Sequence, residues 1–400
     1  MRILFVSDAS GGHGGVEHTN EEILRGLTDL GCEVALLRPG HLQSMADYAG
    51  TGCVYALDTS AREGEHGSLS HCIEDFKPQV VHLSGARWPL VSRVDTVVRN
   101  IPWVLTFHNL PTLEAPFGRF YGVNGLYYSA RNTRMLPNTL LWLFGLNRWR
   151  FARVICESRR MQLRLLRLGC HRERIVWLPA GISSNATCLG REAEGRSPFS
   201  ASSHPRLLTI AGMVHHKGLH DSLRAVASLA EALPHFSYLI IGGKRDGGYA
   251  SYLEGLVARL GIQSHVRFVY NASEELKWSA LADADLYIQP SHEEGFCLAF
   301  LDAAMVVPRL LGTATGEMPF IAEGDPSSAI VTPKNERDLQ ANIVRLLNIP
   351  TSVCDLSGRR ARLLQRYSWR DHIRHLHCLY EELSLSGGSS TRGVDEYSTL

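Results

Sequence analysis

The feature that most constrains the fold is an alternation of short apolar runs and helical segments that starts twice along the chain. The first series opens at Ile3–Ser7, and the second opens at Arg206–Ile210 after a polar stretch. The runs are rich in β-branched residues and nearly continuous, as expected for parallel strands buried on both faces. The alternation therefore predicts two doubly wound α/β domains.

The two series give the following domain boundaries. We predict a first domain over residues 1–183, a linker over 184–205 and a second domain over 206–366. An amphipathic helix at 367–385 is expected to pack back on the first domain, and the Ser/Gly-rich segment 386–400 is expected to be disordered. Predicted strands are Ile3–Ser7, Glu33–Leu37, Val80–Leu83, Trp103–His108, Val154–Cys156, Ile175–Leu178, Arg206–Ile210, Tyr238–Ile241, Val266–Val269 and Leu286–Gln289.

Composition excludes several classes of protein. The 400 residues include 41 basic and 40 acidic side chains, so the net charge of +1 removes the simplest case for a nucleic-acid binder. Nine cysteines, an odd number without a C-x-x-C pair, argue against a disulfide framework and against a cysteine zinc site. The first residues are typical of a strand rather than a signal peptide, and no run approaches ~18 apolar residues. We therefore expect a cytoplasmic protein with reduced thiols.

In open α/β sheets, ligands bind beyond the carboxyl ends of the strands, so the loops that follow strands are the places to search. The first such loop is glycine-rich, at residues 11–16, and opens a helix. Backbone N–H groups at such a turn suit an anion. The loop does not fit G-x-G-x-x-G in register, and the second strand ends in Arg38 rather than an acidic ribose partner. An NADP site is one alternative here, and a tight turn without a ligand is another.

A second loop follows the strand Arg206–Ile210 and contains Gly212, Met213 and Lys217. A glycine backbone with one lysine, a compact point charge, can bind a diphosphate. The chain has only five lysines, which favours a function for Lys217 over a chance surface position.

The third loop follows the strand Leu286–Gln289 and carries Glu294, with Asp302 eight residues later. On a helix, residues at i and i+8 lie on nearly the same face, roughly 12 Å apart by rise. One carboxylate could then bind sugar hydroxyls and the other a ribose, while the backbone N–H groups of Gly295 and Phe296 suit a phosphate. From spacing alone, an ordinary helix with acidic residues near its start is an equal alternative.

This segment resembles the E-x7-E donor-binding motif of retaining glycosyltransferases of family 4, which have the GT-B fold. Other landmarks agree in order over about residues 1–385. They are Gly14–Glu17 for the glycine loop, Thr106–His108 for the T-x-H segment, Ile175–Ile182 for the hinge strand, Gly212–Gly218 for the G-R-x(3)-K-G loop and Gly312–Glu317 for the phosphate loop.

The resemblance implies two Rossmann-like domains facing a central cleft, and transfer of a sugar from a nucleotide diphosphate donor with retention of configuration. It implies that His108, Lys217 and Glu294 are catalytic. Lys217 would neutralise the diphosphate, Glu294 would bind the donor sugar and Asp302 would bind the ribose. The remaining donor-binding residues it implies are Gly15, Gly212, Met213, Gly295, Phe296, Cys297 and Leu298. It also implies that no metal or other cofactor is essential.

Several positions depart from the family pattern. Met213 stands where an arginine is usual, Asp302 replaces a glutamate, and Glu317 replaces a glycine. A lost charge-assisted contact is worth roughly 1.5–3 kcal/mol, which His215 or His216 could offset. The same departures would fit a family member that is catalytically weak or inactive and acts as a partner in a glycan assembly complex.

The acceptor is expected to bind the first domain. An apolar stretch with Trp and Arg begins at residue 136, and arginines continue to Arg167. Basic residues beside apolar ones suit peripheral contact with an anionic membrane on its cytoplasmic face, and a buried helix with a solvated basic face is the alternative. The sequence thus predicts a glycosyltransferase of polysaccharide or glycoconjugate synthesis, acting on a glycan, lipid-linked or small-molecule acceptor.

Overall fold

The computed structural model describes two compact units. Its described residues are 1–7, 14–39, 53–57, 69–85, 100–108, 151–183, 186, 197–199, 204–230, 233, 235–243 and 247–385. The first unit contains the described residues up to Gly181 together with Trp369–Leu385, and the second contains those from Ile182 to Ser368. Predictions that fall on other residues lie outside the described residues, among them those for residues 11–13 of the glycine loop, the apolar stretch from 136 to 150 and the tail 386–400.

The first unit is built on a parallel sheet of seven strands in the order β3-β2-β1-β4-β5-β6-β7. Strands β1, β4 and β5 are buried along almost their whole length, which explains their nearly continuous apolar sequence. Its elements up to residue 181 are β1 (Arg2–Ser7), α1 (Gly15–Asp29), β2 (Glu33–Pro39), β3 (Cys53–Leu57), α2 (Leu69–Phe76), β4 (Val80–Ser84), β5 (Trp103–Phe107), β6 (Phe151–Cys156), α3 (Arg159–Arg167) and β7 (Ile175–Trp177).

The second unit repeats this plan with six parallel strands in the order β10-β9-β8-β11-β12-β13. Its core is formed by apolar side chains of the strands and of the helices that flank them. Its elements are β8 (Arg206–Ile210), α4 (Leu219–Ala227), β9 (Ser237–Gly242), α5 (Gly247–Arg259), β10 (Val266–Tyr270), α6 (Glu274–Asp283), β11 (Leu286–Gln289), α7 (Leu298–Ala304), β12 (Leu310–Thr313), α8 (Met318–Ile321), β13 (Ser328–Val331), α9 (Glu336–Leu347) and α10 (Leu356–Arg366).

In both sheets the strand order reverses once. The reversal lies between β1 and β4 in the first unit and between β8 and β11 in the second, where the two strands pair directly. Connections leave such a point in opposite directions, which opens a crevice at the carboxyl ends of the two strands. The prediction of two doubly wound α/β domains is confirmed.

A last helix, α11 (Trp369–Leu385), belongs to the first unit. It packs on α1 and β4. Gly26 of α1 lies against Ile373, so closely that a Cβ built at Gly26 would be 2.0 Å from the Cδ1 of Ile373. The Tyr380 hydroxyl bonds the buried His82 side chain of β4, and His82 also bonds Thr106 at 2.7 Å. The expected return of the C-terminal helix to the first domain is thus found.

Some elements were not predicted from sequence. They are β3, α2, and the elements between residues 306 and 366, which carry two short strands and three helices. Strands β12 and β13 have only four residues each, too few for a period to be read, and β3 is an edge strand.

We predict that Leu376→Ala lowers the free energy of unfolding by about 2–5 kcal/mol, because the truncated side chain leaves a cavity between α11 and the first unit. Urea denaturation measures the change. Leu385→Ala is the control, since Leu385 is 87% exposed, and it should change stability by less than about 0.5 kcal/mol. Equal effects of the two variants would mean that α11 is not docked on the first unit.

Candidate functional site

Two loops of the second unit meet where its strand order reverses. One follows β8 and ends in the short 3-10 turn His215–Lys217, and the other follows β11 and contains Glu294. The backbone N–H of His292 donates to the carbonyl of His216 at 2.8 Å, which fastens the two loops together. The sheet topology therefore brings together Lys217 and Glu294, which are 77 positions apart in the sequence.

Lys217 and Glu294 form an ion pair at this point. The Lys217 Nζ donates to both carboxylate oxygens, at 2.8 Å and 2.7 Å. The Glu294 side chain is 6% exposed, whereas that of Lys217 is 22% exposed. The carboxylate is thus buried behind an ammonium group that reaches the protein surface.

A chain of hydrogen bonds from the end of β11 holds the Glu294 carboxylate. Ser291 donates to Glu294 Oε1 at 2.6 Å, and Gln289 donates to the same oxygen at 3.3 Å and to the Ser291 hydroxyl at 2.9 Å. Tyr287 donates to the Gln289 carbonyl at 2.8 Å. Burial alone would raise the pKa of Glu294, but the charge and hydrogen bonds of Lys217, with the Ser291 bond, outweigh it and lower that pKa.

Two glycines permit the loops to approach each other. Gly218 has φ +63°, and a Cβ there would lie 2.1 Å from the Pro290 carbonyl oxygen. Gly316, after β12, has φ +54°, and a Cβ there would lie 2.5 Å from the Phe296 carbonyl oxygen. Any larger residue would separate these loops.

Asp302 lies on α7, but Glu294 does not. Cys297 has φ +86° and is the N-cap, so the helix begins only at Leu298. The prediction that Glu294 and Asp302 share one helix face is therefore wrong, since a left-handed residue breaks the helical path between them. Asp302 accepts a hydrogen bond from the Ser183 backbone, yet burial, reinforced by Glu274, raises the pKa of Asp302 to about 7.

The side chains of the other predicted donor-binding residues are buried or partly buried. Phe296 and Cys297 are buried, and Leu298 is partly buried. The Met213 side chain is completely buried among the apolar side chains of the core, while its backbone N–H donates to Gly243. Met213 is therefore a core residue, and its backbone N–H is already bonded within the second unit. Gly212 and Gly295 lie beside it and beside Glu294 in the two loops.

One group of side chains in the described part of the chain could hold a metal ion. It comprises His220, Asp221 and His292, whose ligand atoms lie within 4.8 Å of one another. Asp221 already bonds His292 Nε2 at 2.6 Å and lies 3.3 Å from His220 Nε2. Burial lowers the pKa of His220 to about 3, so this imidazole is neutral. Asp221 is hydrogen-bonded to His292, and the His220 Nδ1 lies 2.7 Å from the Tyr249 hydroxyl, and we assign no metal to the group.

In the first unit, Gly15 begins α1, and His108 follows β5. The His108 Nε2 lies 2.6 Å from the Ser84 hydroxyl, and its Nδ1 lies 3.1 Å from Glu157 Oε2. Ser84 in turn donates to the Asn20 carbonyl at 2.5 Å. Sequence reasoning missed Ser84, Asn20 and Glu157, and likewise Gln289 and Ser291. Four of these five lie at or within two residues of a strand's end, which was the available signal.

Two family models match the chain. The model described as Glycosyltransferase Family 4 matches residues 13–185, and the model described as Glycosyl transferases group 1 matches residues 191–363. Among the described residues, none of the helices is both long and apolar enough to cross a membrane.

Curated relatives are similar over part or most of the chain. A D-inositol 3-phosphate glycosyltransferase of Corynebacterium jeikeium is 29% identical over 44% of this chain and 43% of its own length. A D-inositol 3-phosphate glycosyltransferase 2 of Catenulispora acidiphila is 25% identical over 90% of this chain and 88% of its own length. The first alignments thus span about half of the relatives' lengths.

Solved structures share the fold. HepE of Anabaena, crystallised with UDP and glucose, superposes with a TM-score of 0.71 at 18% identity, covering 96% of this chain and 100% of HepE. A glycosyltransferase of Rickettsia africae gives a TM-score of 0.70 at 17% identity, covering 96% of this chain and 98% of that chain. Their shared architecture is the GT-B fold.

We predict that the two acidic residues of the site affect stability with opposite dependence on pH. The lowered pKa of Glu294 means that its ion pair stabilises the fold above about pH 4.5 and is lost at lower pH, so Glu294→Gln costs about 1–3 kcal/mol at pH 8 and less at pH 4. The raised pKa of Asp302 means that the folded state holds an extra proton between about pH 4 and 7. The free energy of unfolding therefore falls as the pH rises from about 4 to 7, and it stays lower above pH 7.

Asp302→Asn should therefore be more stable than the wild type at pH 8, and this gain should disappear at pH 4. Urea denaturation of both variants and the wild type at the two pH values measures the effects. The two variants serve as controls for each other, and a change of the same sign in both between pH 4 and pH 8 would contradict the assigned environments.

Proposed function

The chain belongs to the glycosyltransferases of family 4, and from this premise we propose that it transfers a sugar from a nucleoside diphosphate sugar to a hydroxyl group of an acceptor, with retention of configuration. The observation that carries the proposal is the Lys217–Glu294 pair at the reversal point of the second sheet. An ammonium for the diphosphate and a fixed carboxylate for sugar hydroxyls are the two charges that such a donor requires.

Retaining transfer needs stabilisation of a departing diphosphate. Fixed positive groups aimed at developing negative charge supply this, and Lys217 is such a group. In this proposal Glu294 holds sugar hydroxyls as an ionised acceptor, which its lowered pKa favours. Asp302 bonds the ribose, and the backbone N–H groups of Gly295 and Phe296 contact the phosphates. No essential metal is required, because side-chain and backbone donors perform the task.

The acceptor in this proposal is a glycan, lipid-linked or small-molecule hydroxyl bound by the first unit, in the synthesis of a polysaccharide or glycoconjugate. Relatives support this class of acceptor by their names. They include a colanic acid biosynthesis glycosyltransferase and a lipopolysaccharide glucosyltransferase of Escherichia coli. His108 lies at the carboxyl end of β5, the edge of the first sheet at which an acceptor is expected to bind.

Peripheral membrane contact is a second part of the proposal, and α3 supports it. Arg160, Leu163, Arg164, Arg167 and Leu168 recur at helical spacing along one face. Leu163 is 50% exposed, and Arg160, Arg167 and Leu168 are exposed as well. Met161 and Leu165 anchor the opposite face in the core. Arginines interleaved with exposed leucines suit an anionic lipid surface.

We predict that Lys217→Ala weakens binding of the preferred nucleoside diphosphate by about 10- to 100-fold, the equivalent of one charge-assisted hydrogen bond. Calorimetric titration with UDP, GDP and ADP identifies the preferred base and measures the loss. Arg345→Ala is the control, since Arg345 lies in the last turn of α9, away from the carboxyl ends of the strands.

The same titration in EDTA should give unchanged constants. Binding that EDTA abolishes and Mg²⁺ or Mn²⁺ restores would contradict the metal-independent proposal. Unchanged binding in Lys217→Ala would remove the diphosphate role of this residue. Nucleotide binding without sugar transfer from any donor would indicate the inactive family member instead.

We predict that the protein floats with vesicles containing anionic phosphatidylglycerol at low salt, and that Arg160→Glu/Arg167→Glu abolishes flotation. The reversed charges repel the anionic surface. Arg337→Glu/Arg345→Glu changes the net charge equally on α9 and should leave flotation intact. Loss of flotation in both double variants would show that net charge, rather than this face of α3, governs binding.

A further inference from the structure

Glu157 is a buried carboxylate at the carboxyl end of β6 in the first sheet. It directly follows β6, and its side chain is 5% exposed. Its Oε2 bonds His108, while its Oε1 has no hydrogen-bond partner among the described residues. A buried carboxylate is costly unless a positive charge or donors compensate it. Among the described residues, the hydrogen bond to this carboxylate comes from the His108 Nδ1, so the protonation of that nitrogen decides how Glu157 is accommodated.

His108 is also the end of a row of side chains. The row runs from Ser7 at the end of β1, through Asn20 of α1 and Ser84 at the end of β4, to the His108 Nε2. The distances between successive polar atoms are 3.0, 2.5 and 2.6 Å. Ser7 and Ser84 lie where β1 and β4 pair, which is where a doubly wound sheet binds its ligand, and His108 follows β5 next to β4.

The donors and acceptors along this row limit which nitrogens of the His108 ring can carry a proton. An ionised carboxylate only accepts hydrogen bonds, so Nδ1 must donate to Glu157. Ser84 has one hydroxyl proton and donates it to the Asn20 carbonyl, so the His108 Nε2 must donate to Ser84. Both ring nitrogens then carry protons. If the Asn20 amide is turned round, Ser84 donates to Nε2 instead, but the Nδ1 proton facing Glu157 is common to both arrangements.

We propose that Glu157 is a positioning residue that fixes a proton on Nδ1 of His108 and thereby sets the tautomer and orientation of this histidine. Its importance for transfer rests on the proposed function. With its tautomer fixed, His108 keeps a defined ring orientation at the carboxyl end of β5, the edge of the sheet at which ligands bind. Glu157 acts through His108 and touches no substrate in this proposal.

Glu157→Gln tests the proposal with little change of shape. A carboxamide can turn its NH₂ group toward Nδ1, which then becomes an acceptor, so the proton must reside on Nε2. Exchange of a carboxylate for an amide beside a catalytic histidine is known to select the wrong tautomer while leaving the geometry intact.

The measurement is the ¹⁵N spectrum of histidine-labelled full-length protein at pH 7. The chain has 18 histidines, and the His108 signals are assigned by their loss in His108→Asn. We expect a proton on Nδ1 in the wild type and its absence in Glu157→Gln. Glu173→Gln is the matched control, because Glu173 pairs with His171 Nδ1 at 3.7 Å but both side chains are more than half exposed. It should leave the His108 signals unchanged.

A wild-type His108 without a proton on Nδ1 overturns the proposal, and so does an unchanged His108 spectrum in folded Glu157→Gln. The wild-type spectrum decides the matter even if that variant does not fold. Where a transfer assay exists, Glu157→Gln should lower kcat at least 10-fold while the Kd for the nucleoside diphosphate stays constant. A kcat that stays constant overturns the link to transfer, and a chain that transfers no sugar refutes the proposed function without affecting the spectrum.

Discussion

The second unit depends on the pairing of Lys217 with Glu294. A carboxylate that is 6% exposed is tolerated in a protein interior only beside a positive charge and donors, and this one has an ammonium, a serine and a glutamine around it. The pair joins the loops after β8 and β11, so the charge requirement also fixes the loop geometry. Gly218 against the Pro290 carbonyl is the steric counterpart of the same constraint.

A second buried ion pair in this unit shows what a purely structural pair looks like. Arg359 bonds Asp325 at 2.6 Å, and its other donors reach the carbonyls of Ala304, Val307 and Pro308. Its side chain is 2% exposed, and its N–H groups hold α10 against the segment from Ala304 to Pro308 at the end of α7. Lys217 differs because its side chain remains partly exposed at the carboxyl ends of the strands, where a ligand can compete for the ammonium.

Sequence was sufficient for the two-domain architecture, and it singled out Lys217 and Glu294 separately. Their ion pair was not predicted, because it depends on β8 and β11 being neighbours in the sheet. The i, i+8 spacing of Glu294 and Asp302 gave a wrong prediction, because the local backbone conformation determines where the helix begins. The left-handed Cys297 separates Glu294 from the helix that carries Asp302. Burial of Met213 could not be predicted either, since a loop residue becomes part of the core only through tertiary packing. Glu157 could have been selected as a candidate, because it follows a predicted strand. Its role, however, depends on its contact with His108, which is 49 residues away in the sequence.

Both units place a carboxylate and a basic side chain at the carboxyl ends of neighbouring parallel strands, but the two basic groups differ in chemistry. A lysine beside a carboxylate is charged at neutral pH, whereas the position of the proton on an imidazole depends on its hydrogen-bond partners. In the second unit the cation therefore stabilises the carboxylate. In the first unit the dependence is reversed, because the carboxylate of Glu157 places the proton on the His108 Nδ1. In the second unit, burial raises the pKa of Asp302 to about 7, so this carboxyl group responds to pH near neutrality.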